Sequence, residues 1–195
     1  MKKISLTVLF TFFTIIIYSQ TNFGIKTGLN IATIKATFNQ FDVSSRGKTG
    51  FTIGGFALHP IGKDLFLQSE ILFNQFSGDF KFPAPVNTLT TNFHYLSLPI
   101  TLRYKFPGLG IYGGLQYSLL LSAKTTMNGQ TESDETFKSS DFSFLIGLDY
   151  IVAKNILIAG RYQTSLGNIA KDNPSFNGLN MKINAVSFTV GYIFK

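Results

Sequence analysis

An eight-stranded antiparallel transmembrane β-barrel is the fold this sequence predicts, with short turns at one end and four longer loops at the other. Three observations carry it. Apolar and polar residues alternate with a period of two through eight segments between Phe23 and Phe194. The connections between those segments alternate between tight and long. Charged residues are only 14% of the chain, against roughly a quarter in soluble domains, yet no apolar run after Tyr18 could form a spanning helix.

The chain opens MKKISLTVLFTFFTIIIYSQ, two lysines followed by an apolar run from Ile4 to Tyr18 and then small and polar residues. That layout predicts a signal peptide over 1–20 and a mature barrel domain over 21–195. An uncleaved anchor is the alternative, but a run of about fifteen residues falls short of the ~20 a helix needs to span. Without cysteine, the chain has no thiolate metal site, no disulfide and no lipidated N-terminus. Removing Lys2 and Lys3 lowers the formal charge from +7 to +5, and the remaining cations are scattered, so no nucleic-acid stripe is visible.

The first segment, FGIKTGLNI, sets Phe23, Ile25, Leu29 and Ile31 against Gly24, Lys26, Gly28 and Asn30. The second, TGFTIGGFALH, is blurred, because Phe56 and Leu58 break the pattern of Phe51 and Ile53. The third, LFLQSEILFNQF, opposes Leu65, Leu67, Ile71 and Phe73 to Gln68, Glu70 and Asn74. The fourth, HYLSLPITLRYKF, is apolar or aromatic at every even position from Leu96 to Phe106. Its Pro99 falls on the polar face and, having no N–H to donate, predicts a bulge or kink.

In the fifth, Ile111, Leu115, Tyr117, Leu119 and Leu121 oppose Gly114, Gln116, Ser118 and Ser122. The sixth, seventh and eighth alternate as cleanly, from Phe142 to Val152, from Ile156 to Leu166 and from Val186 to Phe194. HPIGKD (59–64), PGLG (107–110) and AKN (153–155) read as turns, and 35–48, 77–92, 124–139 and 168–180 as loops. With the N-terminus in the periplasm, the long loops face outward.

The faces decide between two barrels. A soluble lipocalin-like barrel would point its apolar residues inward around an apolar ligand; a membrane barrel points them outward. The polar faces here are rich in small side chains, such as Gly24, Gly28, Ser118, Ser143 and Gly191, where a solvated surface would carry Lys and Glu. Small residues suit the narrow interior of eight strands. Tyr104, Phe106, Tyr150, Tyr192 and Phe194 sit near the turns or the C-terminus, as an interfacial girdle would. The reading is an outer-membrane barrel, monomeric, its partner the lipid bilayer, with no cofactor and no metal. Its role is structural, adhesive or recognition through the loops, without an open pore.

Several stretches resemble a known family. FGIKTGLNIATI, HPIGKDLFLQSEILF, YLSLPITLRYKF and the ending GYIFK are similar to the small outer-membrane β-barrel proteins of Bacteroidota, the PorT-like family. Ser97 departs from it, standing where members commonly carry a carboxylate. The resemblance implies an outer-membrane barrel of no assigned activity. It also implies, with the aromatic alternation from Phe188 to Phe194, that the last strand is read by the outer-membrane insertion machinery.

Three constellations are candidates for chemistry. Lys26, Glu70, Arg103, Lys105, Asp149 and Arg161 lie on core faces, and neighbouring strands suggest Glu70–Arg103 and Asp149–Arg161 as pairs closing the lumen. His94 with Ser97 and a loop acid could serve a hydrolase or acyltransferase, but no nucleophile elbow accompanies them, and His59 lies at the opposite end. Glu132, Asp134, Glu135 and Asp141 in the third loop could bind Ca²⁺, yet their spacing is not that of an EF-hand, and a solvated acidic loop is the simpler account. The second loop, FKFPAPVNTLTTN, reads as a proline-stiffened surface segment.

Overall fold

A computed structural model of the chain describes residues 21–38, 41–81, 88–127, 129–133, 136–171 and 179–194; the expected signal peptide lies outside them. The strands are β1 (Asn22–Phe38), β2 (Phe41–Ser44), β3 (Arg46–Pro60), β4 (Leu65–Lys81) and β5 (Thr88–Lys105). They continue with β6 (Leu109–Met127), β7 (Gln130–Ser133), β8 (Ser140–Ala153), β9 (Ile156–Ser165) and β10 (Asn180–Ile193). Each long strand pairs antiparallel with its successor, and β10 closes on β1 from Gly24↔Ile193 to Thr37↔Asn180. Eight strands form the wall; β2 and β7 are short returns paired only with β1 and β6. Closure leaves no sheet edge, which a spanning sheet cannot tolerate in hydrocarbon.

The short connections that join one wall strand directly to the next all lie at one end, at 61–64, 106–108 and 154–155. In the second, the N–H of Phe106 donates to the carbonyl of Leu109 at 2.7 Å, across Gly108 at φ 80°, a conformation that favours glycine. The start of β1 and the end of β10 meet here as well, the N–H of Phe194 donating to the carbonyl of Phe23 at 2.7 Å.

Through the lower and middle barrel the apolar residues point outward, with Ile25, Leu29, Ile100, Leu148, Phe188 and Val190 all exposed on the wall. A lipocalin-like barrel requires the reverse, so the soluble alternative is set aside. The second segment is also resolved. β3 carries a register shift against β4 between Lys48 and Thr52, and beyond it Thr52, Phe56 and Leu58 point inward, Phe56 and Leu58 packing with Leu157 and Ile193 as a plug at the turn end. The polarity pattern blurs because that part of the lumen is apolar.

Above Ile31 the polarity inverts. On β1, Ala32 and Ile34 are buried while Lys35 is exposed; on β10, Ile183 and Ala185 are buried while Lys182 and Asn184 face outward. β4 and β5 carry Phe76, Phe80, Phe93 and Tyr95 inward at the same end. This part is built like a soluble barrel, standing beyond the lipid on the loop side. The expected loops are accordingly shorter: β1 runs to Phe38, β4 to Lys81, and β5 starts at Thr88. Residues 82–87 of the proline-bearing segment lie outside the described residues.

Pro99 makes no bulge. It is fully buried, and the β4–β5 register places it opposite Glu70, where the ladder is interrupted and resumes in the same register from Leu72↔Ser97. The bulge sits at Leu121, because Tyr95 pairs with Leu120 and His94 with Ser122. It turns Ser122 outward, against the expected inward facing.

Candidate functional site

The lumen contains a layer of charge just above the turn-end plug. Lys26 of β1, Glu70 of β4, Arg103 of β5, Asp149 of β8 and Arg161 of β9 are all buried. Arg161 Nη2 donates to Glu70 Oε1 at 2.7 Å and Oε2 at 2.8 Å, and Lys26 Nζ lies 2.6 Å from Oε2. The amide of Gln68 donates to the same carboxylate. Arg103 grips Asp149 two-pronged, Nε to Oδ2 at 2.7 Å and Nη2 to Oδ1 at 2.5 Å. Rings back the cations: Phe56 lies 5.9 Å from Lys26 Nζ, and Phe66 and Tyr112 lie 5.8 Å and 5.3 Å from the Arg103 and Arg161 guanidinium carbons.

The pairs are therefore Glu70–Arg161 and Arg103–Asp149, not Glu70–Arg103 and Asp149–Arg161. Strand adjacency misleads because the stagger sets height. Arg103 is in register with Phe66, four residues along β4 from Glu70 and about 13 Å away at ~3.3 Å per residue. Across a narrow lumen Glu70 meets Arg161 instead. Arg103 reaches Asp149 past β6 at Gly110, where any Cβ would strike both the guanidinium and the carboxylate. Gly147 makes the same room for the ring of Tyr112. Lys105, expected in the core, is exposed at the turn end.

Above this layer the lumen is polar and then apolar. Gln116 Nε2 donates to Ser118 Oγ at 3.0 Å, and Ser97 Oγ lies 3.0 Å from the same hydroxyl. Asp141 accepts from Ser143 at 2.7 Å and from Ser165 at 2.8 Å. Higher still, Phe76, Phe93, Tyr95, Phe137, Ile34 and Ile169 pack into one buried cluster. Phe93 meets Phe137 edge-on at 4.6 Å between ring centroids. The interior is thus stoppered by an apolar plug, an ion-pair layer and a second apolar plug.

The candidate enzymatic pair is divided by the wall. Ser97 points into the lumen at 0% exposure, whereas His94 points outward, its Nδ1 2.9 Å from Ser122 Oγ and its ring 5.8 Å from Phe73. Odd spacing on a strand puts two residues on opposite faces, so the two cannot share a proton. His59 sits at the turn end, 2.9 Å from Thr21 Oγ1. The acidic cluster is divided too: Glu132 lies on exposed β7, Asp141 points into the barrel, and Asp134 and Glu135 lie outside the described residues.

With an apolar belt facing outward, a closed wall and a stoppered lumen, the class is an integral membrane β-barrel. The family model described as outer membrane protein beta-barrel domain matches residues 18–171, and the chain belongs to that family. It is an outer-membrane protein. No curated protein matches the chain in sequence. Among the solved structures that share the fold are two outer-membrane proteins. One is Ail, the attachment invasion locus protein of Yersinia pestis, in complex with the heparin analogue sucrose octasulfate, at 18% identity and TM-score 0.52, covering 89% of this chain and 99% of that one. The other is Neisserial surface protein A, at 20% identity and TM-score 0.53, covering 88% and 97%.

Proposed function

We propose that this protein is a closed, non-conducting surface barrel that acts by recognition or adhesion through its loop end. The stoppered lumen carries this reading. Among the described residues three successive layers fill the lumen, so what the molecule presents to the outside is its rim. Ail, the attachment invasion locus protein, has the same fold, which is compatible with such a role. We read the protein as non-enzymatic, the candidate pair His94 and Ser97 being bound to different partners on opposite faces of the wall. Residues 1–20 act as a signal peptide, the barrel is a monomer, and the matching N-terminal, hairpin and fourth-strand stretches favour the PorT-like branch found in Bacteroidota.

Conductance tests the central point. Purified protein in a planar bilayer should show no steady ion current at any moderate voltage; stable channels in the wild type would overturn the closed-barrel reading.

Assembly gives a second prediction. β10 is the strand that closes on β1, and its outward Phe188, Val190 and Tyr192, with Phe194 just beyond it, form the apolar and largely aromatic terminus we assign to the insertion machinery. Deleting residues 192–195 should leave the protein exported but unassembled. Normal protease accessibility of the outer loops in intact cells carrying that truncation would contradict the assignment.

A further inference from the structure

Two lysines face one another at the closing seam. Lys35 of β1 and Lys182 of β10 are direct cross-strand partners on the outer face, just above the lipid-facing belt. Like charges opposite one another are unfavourable. Elsewhere on this rim the sequence neutralises such a cation, as where Lys48 meets Asp79 at 3.2 Å. At the seam no carboxylate pairs with either lysine among the described residues. The nearest acid in the register, Asp42, lies opposite Thr37 and accepts its hydroxyl at 2.7 Å. Below the lysines stand Thr33 and Asn184, also partners; the Asn184 carbonyl is taken by Thr164 at 2.6 Å, which leaves its amide group as a donor.

Directly beneath, the same seam opens into an apolar groove of about 770 Å³, walled by Leu29, Ile31, Phe188, Val190 and Ile158. Its floor includes Gly160, a lipid-facing position with no side chain, where an added Cβ would come no closer than 3.8 Å to the Phe188 ring. From top to bottom the column reads cation pair, amide and hydroxyl, then oil. Lys35 lies four residues beyond Ile31, about 13 Å along the strand and roughly 10 Å in height at a ~40° tilt. That is the headgroup layer, within reach of a lysine stem bending toward the membrane.

We propose that the β1–β10 seam holds a phosphorylated lipid of the outer leaflet, its phosphate between Lys35 and Lys182 and one acyl chain in the groove below. The anion removes the repulsion between the lysines, and the chain fills the space that Gly160 leaves. The lipid thereby braces the strand pair that closes the barrel.

Native mass spectrometry of the full mature protein tests this, with phosphatidylglycerol and phosphatidylcholine of identical chains offered together. The wild type should retain phosphatidylglycerol in preference. Lys35→Ser and Lys182→Ser should each reduce that retention about fivefold, as expected for one basic residue at an anionic surface. Gly160→Leu, which fills the groove without touching charge, should reduce it as well. Lys124→Ser, an exposed cation away from the seam, should not. Glycerol phosphate, a headgroup without chains, should fail to displace the lipid. Circular dichroism and heat-modified gel migration show that each variant is folded. Equal retention of the two lipids, an equal loss in Lys124→Ser, or displacement by glycerol phosphate would each overturn the site.

Discussion

Glu70→Ala is expected to cost about 3–5 kcal/mol of unfolding free energy, measured by urea titration in lipid vesicles, because it leaves two buried cations without their carboxylate. Glu70 is the hub of its half of the charge layer, holding Lys26 at 2.6 Å and Arg161 through both oxygens. A double-mutant cycle then reads the wiring. Removing Arg161 in the Glu70→Ala background should cost much less than removing it from the wild type, with a coupling of about 0.5–3 kcal/mol. Arg103, bound instead to Asp149, should add to Glu70→Ala within about 0.5 kcal/mol. Strong coupling of Glu70 to Arg103 with none to Arg161 would contradict the geometry.

Phe93→Ala should be comparably severe for a different reason. The ring is 0% exposed, edge-on to Phe137 and stacked on Tyr95 at 6.1 Å, so its loss opens a cavity in the loop-end plug. Deletions of this kind cost about 3–5 kcal/mol. Phe188→Ala offers the contrast: that ring is 61% exposed on the lipid-facing wall, and lipid can fill the space it leaves. The unfolding midpoint should fall further in the first variant than in the second. An equal fall would mean that the cluster is not close-packed. Phe93→Ala should still conduct no ions, because the charge layer beneath it is untouched.

The eight wall strands and their facing in the membrane were legible because each strand there has one wet and one oily side, and a period of two survives in sequence. The same signal failed where both sides changed. In β1 beyond Ile31, Ala32 and Ile34 go inward and Lys35 outward, so the alternation reverses and reads as a loop. β3 blurred because Phe56 fills an apolar lumen. Of the candidate site, the residues could be named but not their partners. Periodicity tells which face Glu70 and Arg161 occupy; it says nothing of the stagger between strands or of the gap at Gly110 that admits Arg103 to Asp149. The bulge at Leu121, which sends Ser122 to the same face as His94, has no signature in the alternation of β6 alone.

The reversal of polarity above Ile31 also gives the molecule a waterline. Sinking by a few ångströms would drag Lys35, Lys48, Lys124 and Lys182 toward hydrocarbon, where a lipid-facing cation costs about 2–4 kcal/mol at full depth. Rising would lift Ile31 and Phe51 into water, at about 25 cal/mol for each square ångström of apolar surface wetted. A barrel that is oily to its rim can ride up or down; this one has a draught set by its sequence. In a bilayer of another thickness the lipid must therefore stretch or thin around it, at fractions of a kcal/mol per ångström of mismatch. The cost falls on the membrane, so such a barrel will collect wherever the sheet already has the height it demands.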